Sequence, residues 1–140
     1  MALTDYSQLE SEINSAEAPQ VIPKGTEVKA RIIGHRDGIS EKDDYDGCKW
    51  HSVSFDVPDI PNAKEFNDFM WELDKDKLPA KAFTRELFHF QTFAAAFGID
   101  LTRPFDWDDL VGKEGWIIVG TKKSDDYGEQ NTVSKYSSGR

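Results

Sequence analysis

The chain has 140 residues, of which 38% are hydrophobic and 31% charged, and its formal net charge is −9. This length and balance predict one globular domain with a modest core and exclude a disordered chain. The acidic balance argues against a simple cationic nucleic-acid binder, although a local cationic groove can lie on an acidic body. Nine Phe, four Tyr and four Trp can fill a core or stack on a flat ligand.

The cysteine content and the N-terminus bear on where the protein is located. Cys48 is the only cysteine, so neither an intramolecular disulfide nor a thiolate metal cluster can form, which is typical of a reducing cytoplasm. Residues 1–5 contain no basic region followed by an apolar run, and no apolar stretch reaches transmembrane length. We therefore expect a soluble cytoplasmic protein that makes no membrane contact.

The first 23 residues are predicted to form an arm that carries one short helix between Tyr6 and Ala18. A strand follows from Thr26 to His35, because apolar and basic side chains alternate there with a period of two. One face of this strand is predicted to enter the core and the other to be cationic. The core face holds Val28, Ala30 and Ile32, and the cationic face holds Lys29, Arg31 and His35, with Ile33 among them.

Two further strands are predicted after a polar loop at residues 37–47. The second strand covers residues 48–57 and the third covers residues 66–73. Trp50 falls by parity on the face opposite the apolar residues of the second strand, so it is predicted to point away from the core. That apolar set is Val53, Phe55 and Val57.

A helix is predicted over residues 79–97, because apolar side chains recur there at three- and four-residue spacing and Gly98 supplies a C-terminal stop. The fourth strand, residues 115–122, contains an apolar run that suggests burial on both sides. The fifth strand covers residues 130–136, and residues 137–140 are expected to form a flexible tail.

The order of these elements predicts the fold class. Three strands, a helix and two strands indicate a mainly β fold, the five-stranded antiparallel OB-type barrel with one helix between strands 3 and 4. The domain is predicted to span residues 24–136. In OB folds the ligand contacts strands 2 and 3 and the loops joining strands 1–2 and 4–5, which here are residues 37–47 and 123–129.

Four short segments within residues 21–136 carry a family resemblance. They read Lys24-Gly-Thr-Glu-Val-Lys-Ala-Arg-Ile32, Phe93-Ala-Ala-Ala-Phe-Gly-Ile99, Asp109-Leu-Val-Gly-Lys-Glu-Gly115 and Asn131-Thr-Val133. In this order and spacing they resemble the small phage single-stranded DNA-binding proteins with an OB fold. The resemblance implies sequence-tolerant binding of single-stranded DNA during replication or recombination, without chemistry and without a cofactor. It also implies replication or recombination proteins as partners and, for a phage protein, the host cytoplasm as the location.

Sequence-tolerant binding of a single strand requires cations along the phosphates and aromatic faces on which bases stack. The predicted cationic residues are Lys29, Arg31, His35, Arg36, Lys49, Lys122 and Lys123. The predicted stacking residues are Tyr45, Trp50, Phe66 and Tyr127. By contrast, Trp71 and Trp116 are assigned to the core, and Trp107 is assigned to one end of the barrel.

No metal site is predicted. The three histidines, His35, His51 and His89, are scattered along the chain without ligand spacing. The Asp-rich loop at residues 43–47 resembles a calcium loop only in part, because the carboxylates required at its first and twelfth positions are missing.

Two rival functions stay open. An acidic OB domain can bind a protein partner through an aromatic face without any nucleic acid. Alternatively, Asp106, Asp108 and Asp109 can hold magnesium for a nuclease, although a turn or a helix cap explains these residues more simply. The sequence also leaves open whether the chain forms a homo-oligomer and whether it prefers DNA or RNA.

Overall fold

The computed structural model describes residues 2–137. Its strands are β1 (Glu27–Ile39), β2 (Lys49–Asp56), β3 (Phe66–Trp71), β4 (Glu114–Ser124) and β5 (Gly128–Ser137), and its helices are α1 (Glu10–Asn14) and α2 (Ala80–Phe97). The five predicted strands and the helix after the third strand are confirmed. Of the predicted flexible tail, residues 138–140 lie outside the described part of the chain. None of the helices in residues 2–137 has the length and apolarity needed to cross a bilayer.

The strands form one antiparallel sheet in the order β3-β2-β1-β4-β5. β1 belongs to two ladders, because residues 27–31 pair with β4 and residues 31–39 pair with β2. No backbone ladder joins β3 to β5 within residues 2–137, so the sheet is not closed into the predicted barrel. The two edge strands are joined by side chains instead, since the Tyr136 hydroxyl donates a hydrogen bond to the Asp68 carboxylate.

The core lies between the sheet and α2. Val28, Ala30 and Ile32 are buried, as the alternation in β1 predicts, and the aromatic rings of Phe93 and Phe97 reach them from α2. The helix ends at Gly98, whose φ of 65° is the left-handed conformation that favours glycine.

Close contact between α2 and β4 depends on a second glycine. A Cβ at Gly115 would lie 2.6 Å from the carbonyl oxygen of Ala96, which is far inside the usual contact distance. Glycine therefore allows the last turn of the helix to pack directly on the backbone of β4.

The segment before β1 is held to the sheet by backbone hydrogen bonds between residues 25–26 and Val119 of β4, and also by one buried side chain. Residues 2–20 are exposed, whereas Ile22 is part of the core. The Asn131 side chain accepts a hydrogen bond from the Ile22 amide and donates one to the Ile22 carbonyl, both at 2.8 Å. These two bonds satisfy the backbone of Ile22 where it enters the apolar interior.

A β-bulge in β1 gives His35 an orientation opposite to the one that the sequence predicts. The register of the β1–β2 ladder shifts between Ile32 and Gly34, so Ile33 is an extra residue in β1. Beyond the bulge the alternation is inverted: His35 turns to the inner side of the sheet and Arg36 turns to the outer side. The placement of His35 on the same face as Lys29 is therefore wrong, because the inserted residue changes the parity.

The assignment of two tryptophans to the core holds only in part, because Trp71 packs against a small buried cluster of Cys48, Leu78 and Ala82, whereas neither ring is itself fully buried. Trp71 pairs across the ladder with Trp50, Trp116 pairs with Lys29, and both tryptophans are half-buried on the outer side of the sheet. Met70 takes the core position in β3. Apolar residues occupy both faces of β3 and β4, so hydrophobicity alone does not identify the face that is buried.

Candidate nucleic-acid interface

The side of the sheet opposite the main core, here called the open face, carries side chains in rows. Residues directly opposite each other in an antiparallel ladder share a face, so the register defines each row. One row consists of Gly38, Trp50 and Trp71, and the next consists of Arg36, Ser52 and Phe69. The third row is Gly34, Ser54 and Asn67. The aromatic rings of the open face therefore lie in the first two rows, and the third row contains only small or polar side chains.

Four aromatic rings on the open face form a continuous group, here called the aromatic platform. Trp50 stacks on Phe69 with ring centroids 5.9 Å apart, and Phe69 meets Trp71 edge to face at 5.0 Å. Tyr45, from the loop between β1 and β2, stacks on Trp71 at 4.6 Å with an interplanar angle of 9°. Phe69 is 46% exposed and Trp50 is half-buried, so these two rings present surface to solvent, whereas Tyr45 and Trp71 also pack against a buried cluster of Cys48, Leu78 and Ala82.

The orientation of Trp50 depends on its neighbour in β1. A Cβ at Gly38 would lie 2.6 Å from Cζ2 and 2.8 Å from Cε2 of the Trp50 indole. The ring therefore lies across the backbone of β1 at Gly38. An indole held flat against a sheet keeps its opposite surface available for stacking.

Cationic side chains continue the open face along β1. Arg36 and Lys29 are exposed, and neither forms an ion pair with another residue in the described range 2–137. Arg31 is bound by the carboxylate of Asp56 at 2.6 Å and 3.2 Å, which raises the pKa of its guanidinium. Trp116 lies beside Lys29 in the neighbouring strand β4. The strand thus carries two unpaired cations and one cation that is already paired.

Other predicted binding residues lie away from this group. Phe66 is only 3% exposed and packs against Phe55 in the core, so its ring is not available to a ligand. Lys49 alternates with Trp50 and points to the inner side, where its Nζ lies 3.9 Å from an oxygen of Asp37. We therefore leave Phe66 and Lys49 out of the candidate interface.

The predicted residues of the β4–β5 hairpin are exposed, but the register separates them from the aromatic platform. β4 pairs with β1 only as far as Ile118, so the part that carries Lys122 and Lys123 extends beyond the first residue of β1. The platform lies near the other end of β1. Tyr127, at the tip of the hairpin, stacks on no other ring within residues 2–137.

On the inner side of the sheet, two histidines meet. His35 Nε2 and His51 Nδ1 lie 2.8 Å apart, and the ring of Trp107 stacks on His51 at 4.0 Å. The outer nitrogens contact carboxylates at 3.1 Å, Asp108 for His35 and Glu72 for His51. Burial lowers the pKa of His51. Nothing in the spacing of the histidines along the chain indicates this meeting, which arises from strand pairing.

A cavity of about 840 Å³ opens beside these histidines, between the sheet and the connector of residues 101–108. The acidic residues of this connector have structural partners. The Asp106 side chain accepts a hydrogen bond from the Asp108 amide and caps the 3-10 turn Trp107–Leu110, and Asp108 contacts His35. The cap predicted for this acidic segment is therefore present.

A second polar cluster joins the edge strands to α2. His89 Nε2 lies 2.7 Å from the Asp68 carboxylate, which also accepts the Tyr136 hydroxyl. The hydrogen bond to Asp68 raises the pKa of His89, and burial raises the pKa of Tyr136. Glu86, buried beside His89, also has a raised pKa because of burial.

Comparison of the chain with known protein families and with curated protein sequences finds no match.

The sequence missed two members of the aromatic platform. The alternation within β3 does not identify Phe69 as a binding residue, and the sequence predicts Trp71 in the core. Phe69 and Trp71 are two residues apart in β3 and so share a face of the sheet. Once the β2–β3 register is known, that face is the one that carries Trp50. That register is a long-range property, which the alternation within one strand does not contain.

Proposed function

We propose that the chain binds single-stranded DNA without sequence preference, using the open face of its sheet. The observation that carries the proposal is the aromatic platform beside unpaired Arg36 on the open face. Bases stack on aromatic rings regardless of their identity, and cations beside the rings neutralise phosphates. The protein protects template strands and removes hairpins in replication or recombination, and it performs no chemistry.

The strand order supports an OB-type fold for this function. In the order β3-β2-β1-β4-β5, the helix follows the third strand and the two edge strands approach each other through Tyr136 and Asp68. The OB barrel is itself partly open, and its ligand surface is the face of strands 2 and 3. That is the surface where Trp50, Phe69 and Trp71 lie here.

The net charge of −9 is compatible with such a role. Single strands expose base faces, whereas duplex DNA offers a protein mainly phosphates. An acidic protein with an aromatic platform is repelled by duplex phosphates and gains stacking energy only from single strands. We place this activity in the cytoplasm, for a phage protein that of the host, together with replication or recombination proteins.

Strand selectivity tests the proposal. Fluorescence anisotropy is measured with labelled oligo-dT, with matched RNA and with duplex DNA of equal length, each at two salt concentrations. Tight binding to oligo-dT and weak binding to duplex are expected, with affinity that falls as salt rises. Equal affinity for duplex and oligo-dT would rule out stacking as the main contact.

One aromatic variant locates the interface. Trp50→Ala is expected to lose about tenfold or more in affinity for oligo-dT, because one stacked base contributes roughly 1–3 kcal/mol and 1.4 kcal/mol is a factor of ten. Phe88→Ala is the matched control, since Phe88 is 67% exposed but lies on α2. Circular dichroism melting confirms that both variants fold. Parental affinity in folded Trp50→Ala would remove the platform from the binding site.

The alternative is a protein-interaction module that uses the same aromatic platform. It is separated from the DNA-binding proposal by the same experiment, because such a module binds neither oligo-dT nor RNA at low salt.

A further inference from the structure

His35 and His51 lie in adjacent strands and share the inner side of the sheet with Asp37. Their side chains are 6% and 1% exposed, so their ring nitrogens depend on partners within the protein. Asp37 is directly opposite His51 in the β1–β2 ladder. One ligand atom from each of these three residues lies within 4.8 Å of the other two.

The hydrogen bonds at the outer nitrogens determine what the facing nitrogens can do. A carboxylate only accepts, so Asp108 and Glu72 each hold a proton on the histidine nitrogen that they contact. A neutral imidazole carries one such proton, so both facing nitrogens then present lone pairs. Two lone pairs 2.8 Å apart repel each other unless a cation lies between them. That cation is either an extra proton or a metal ion.

Three features favour a metal ion. A zinc-bound imidazole usually donates its other N–H to a carboxylate, and the outer nitrogen of each histidine here contacts one. The Asp37 carboxylate supplies an anionic oxygen as a third ligand. A proton shared between the two histidines would not require a carboxylate at this position. The adjoining cavity, which His35 and Asp37 line, gives an ion access and leaves room for a water molecule as a fourth ligand.

The two imidazoles require only a small adjustment. Zinc–nitrogen bonds of about 2.0–2.1 Å place two nitrogens of a tetrahedral site roughly 3.3 Å apart. The two rings must therefore separate by about half an ångström from their 2.8 Å contact. Lys49 lies 3.9 Å from Asp37 Oδ2, close enough to hold that oxygen while Oδ1 binds the ion.

We propose that His35, His51 and Asp37 form a binding site for a divalent first-row transition metal, with Zn²⁺ the best match to two imidazoles and one carboxylate. Bound zinc joins β1 to β2 on the inner side of the sheet, behind the aromatic platform. Glu72 and Asp108 are positioning residues that orient the two rings. The proposal does not depend on DNA binding.

Untagged, metal-free protein is titrated with Zn²⁺ in an isothermal calorimeter, and its melting temperature is recorded with and without the ion. One equivalent is expected to bind and to raise the melting temperature, because a ligand of the native state stabilises it. Mg²⁺ is expected to do neither, since it prefers oxygen ligands. Absence of stoichiometric zinc binding would overturn the proposal and leave a shared proton between the rings.

Variants identify the ligands. His35→Asn and Asp37→Asn are each expected to weaken zinc binding at least tenfold, and the exposed Asp37 can be changed without opening the core. Glu72→Gln is expected to cost roughly 10–100-fold in affinity, as changes in the second shell do. His89→Asn is the matched control, because His89 contacts Asp68 and lies outside the site. Unchanged affinity in Asp37→Asn and His35→Asn, or loss of binding in His89→Asn, contradicts the assignment.

Quenching of tryptophan fluorescence by Co²⁺ locates the ion within the protein. Co²⁺ bound at this site quenches the fluorescence of Trp107, whose ring stacks 4.0 Å from His51. Quenching by one equivalent of Co²⁺ is expected in the parent and is expected to be largely lost in Trp107→Phe. Equal quenching in both proteins places the ion elsewhere.

Discussion

The indole of Trp50 occupies the space that a side chain at position 38 would fill, so Gly38 and Trp50 form one structural unit. Gly38→Ala is expected to fold, because the collision is with the far end of a side chain, and to displace the indole from the sheet. Affinity for oligo-dT falls several-fold and the tryptophan emission changes. Gly34→Ala is the matched control in the same strand, since its Cβ would meet only Ser54 at an ordinary 3.9 Å. Equal affinities of the two variants would separate the orientation of Trp50 from DNA binding.

Charge removal on β1 is expected to change the salt dependence of DNA binding. Arg36→Gln and Lys29→Gln each remove one unpaired cation, so the log–log salt slope becomes shallower by about 0.7 per lost phosphate contact. Arg31→Gln has a smaller effect, because Asp56 already neutralises that guanidinium. Lys81→Gln, on α2, leaves the slope unchanged. Anisotropy titrations at four salt concentrations measure the slopes, and four identical slopes would move the phosphate contacts elsewhere.

The contact between α2 and β4 predicts a stability defect at Gly115. Gly115→Ala pushes a Cβ against the carbonyl oxygen of Ala96, which is backbone and yields little. Overpacking of this kind costs about 1–3 kcal/mol of unfolding free energy. Urea denaturation measures the loss, again with Gly34→Ala as the control, and the folded variant keeps parental affinity for oligo-dT. An unchanged urea midpoint would mean that the helix can move away from β4 at no cost.

The polar cluster at the edge strands predicts a pH dependence of stability. The hydrogen bond to Asp68 raises the pKa of His89 above its usual 6.5, so protonated His89 stabilises the fold. The stabilisation by protonated His89 is complete below pH 6.5 and is lost as the pH rises through the pKa of His89 in the folded protein. Burial raises the pKa of Glu86, which lies beside His89, above its usual 4.5, and Glu86 is kept in the variant used for comparison. Tyr136, also in contact, titrates well above pH 10.

The measurement is the melting temperature of the parent and of His89→Gln between pH 6 and pH 9. The parent is expected to lose stability over this range, and His89→Gln is expected to lose less. The lowered pKa of His51 affects the parent and His89→Gln alike, so it cancels in the comparison of the two profiles. Parallel profiles of the two proteins would show that the Asp68 contact does not stabilise the protonated imidazole.

The elements of this fold could be predicted from the sequence because each has a local signal. Alternation identified the buried side of β1 at Val28, Ala30 and Ile32, and spacing identified α2 together with its glycine stop. The outward orientation of Trp50 also followed from parity alone, and its pairing with Trp71 on the open face agrees with it.

The errors arose where one residue changes the register or where two strands must be aligned. The extra residue Ile33 is locally indistinguishable from its neighbours, yet it moves His35 to the inner side of the sheet. The stacking of Tyr45 on Trp71 joins a loop to a strand 26 positions later, and it depends on the β2–β3 register. Neither property has a signature within a window of ten residues.

The double pairing of β1 makes the two parts of the open face a single unfolding unit. The half that carries Lys29 is hydrogen-bonded to β4, the half that ends beside Trp50 is hydrogen-bonded to β2, and Arg31 belongs to both ladders. Fraying of either ladder therefore releases backbone on which the other depends. Amide hydrogens that β1 donates in either ladder should consequently exchange at similar rates, so the cationic and aromatic halves persist or disappear together, whereas amides of β1 that point away from both ladders exchange faster.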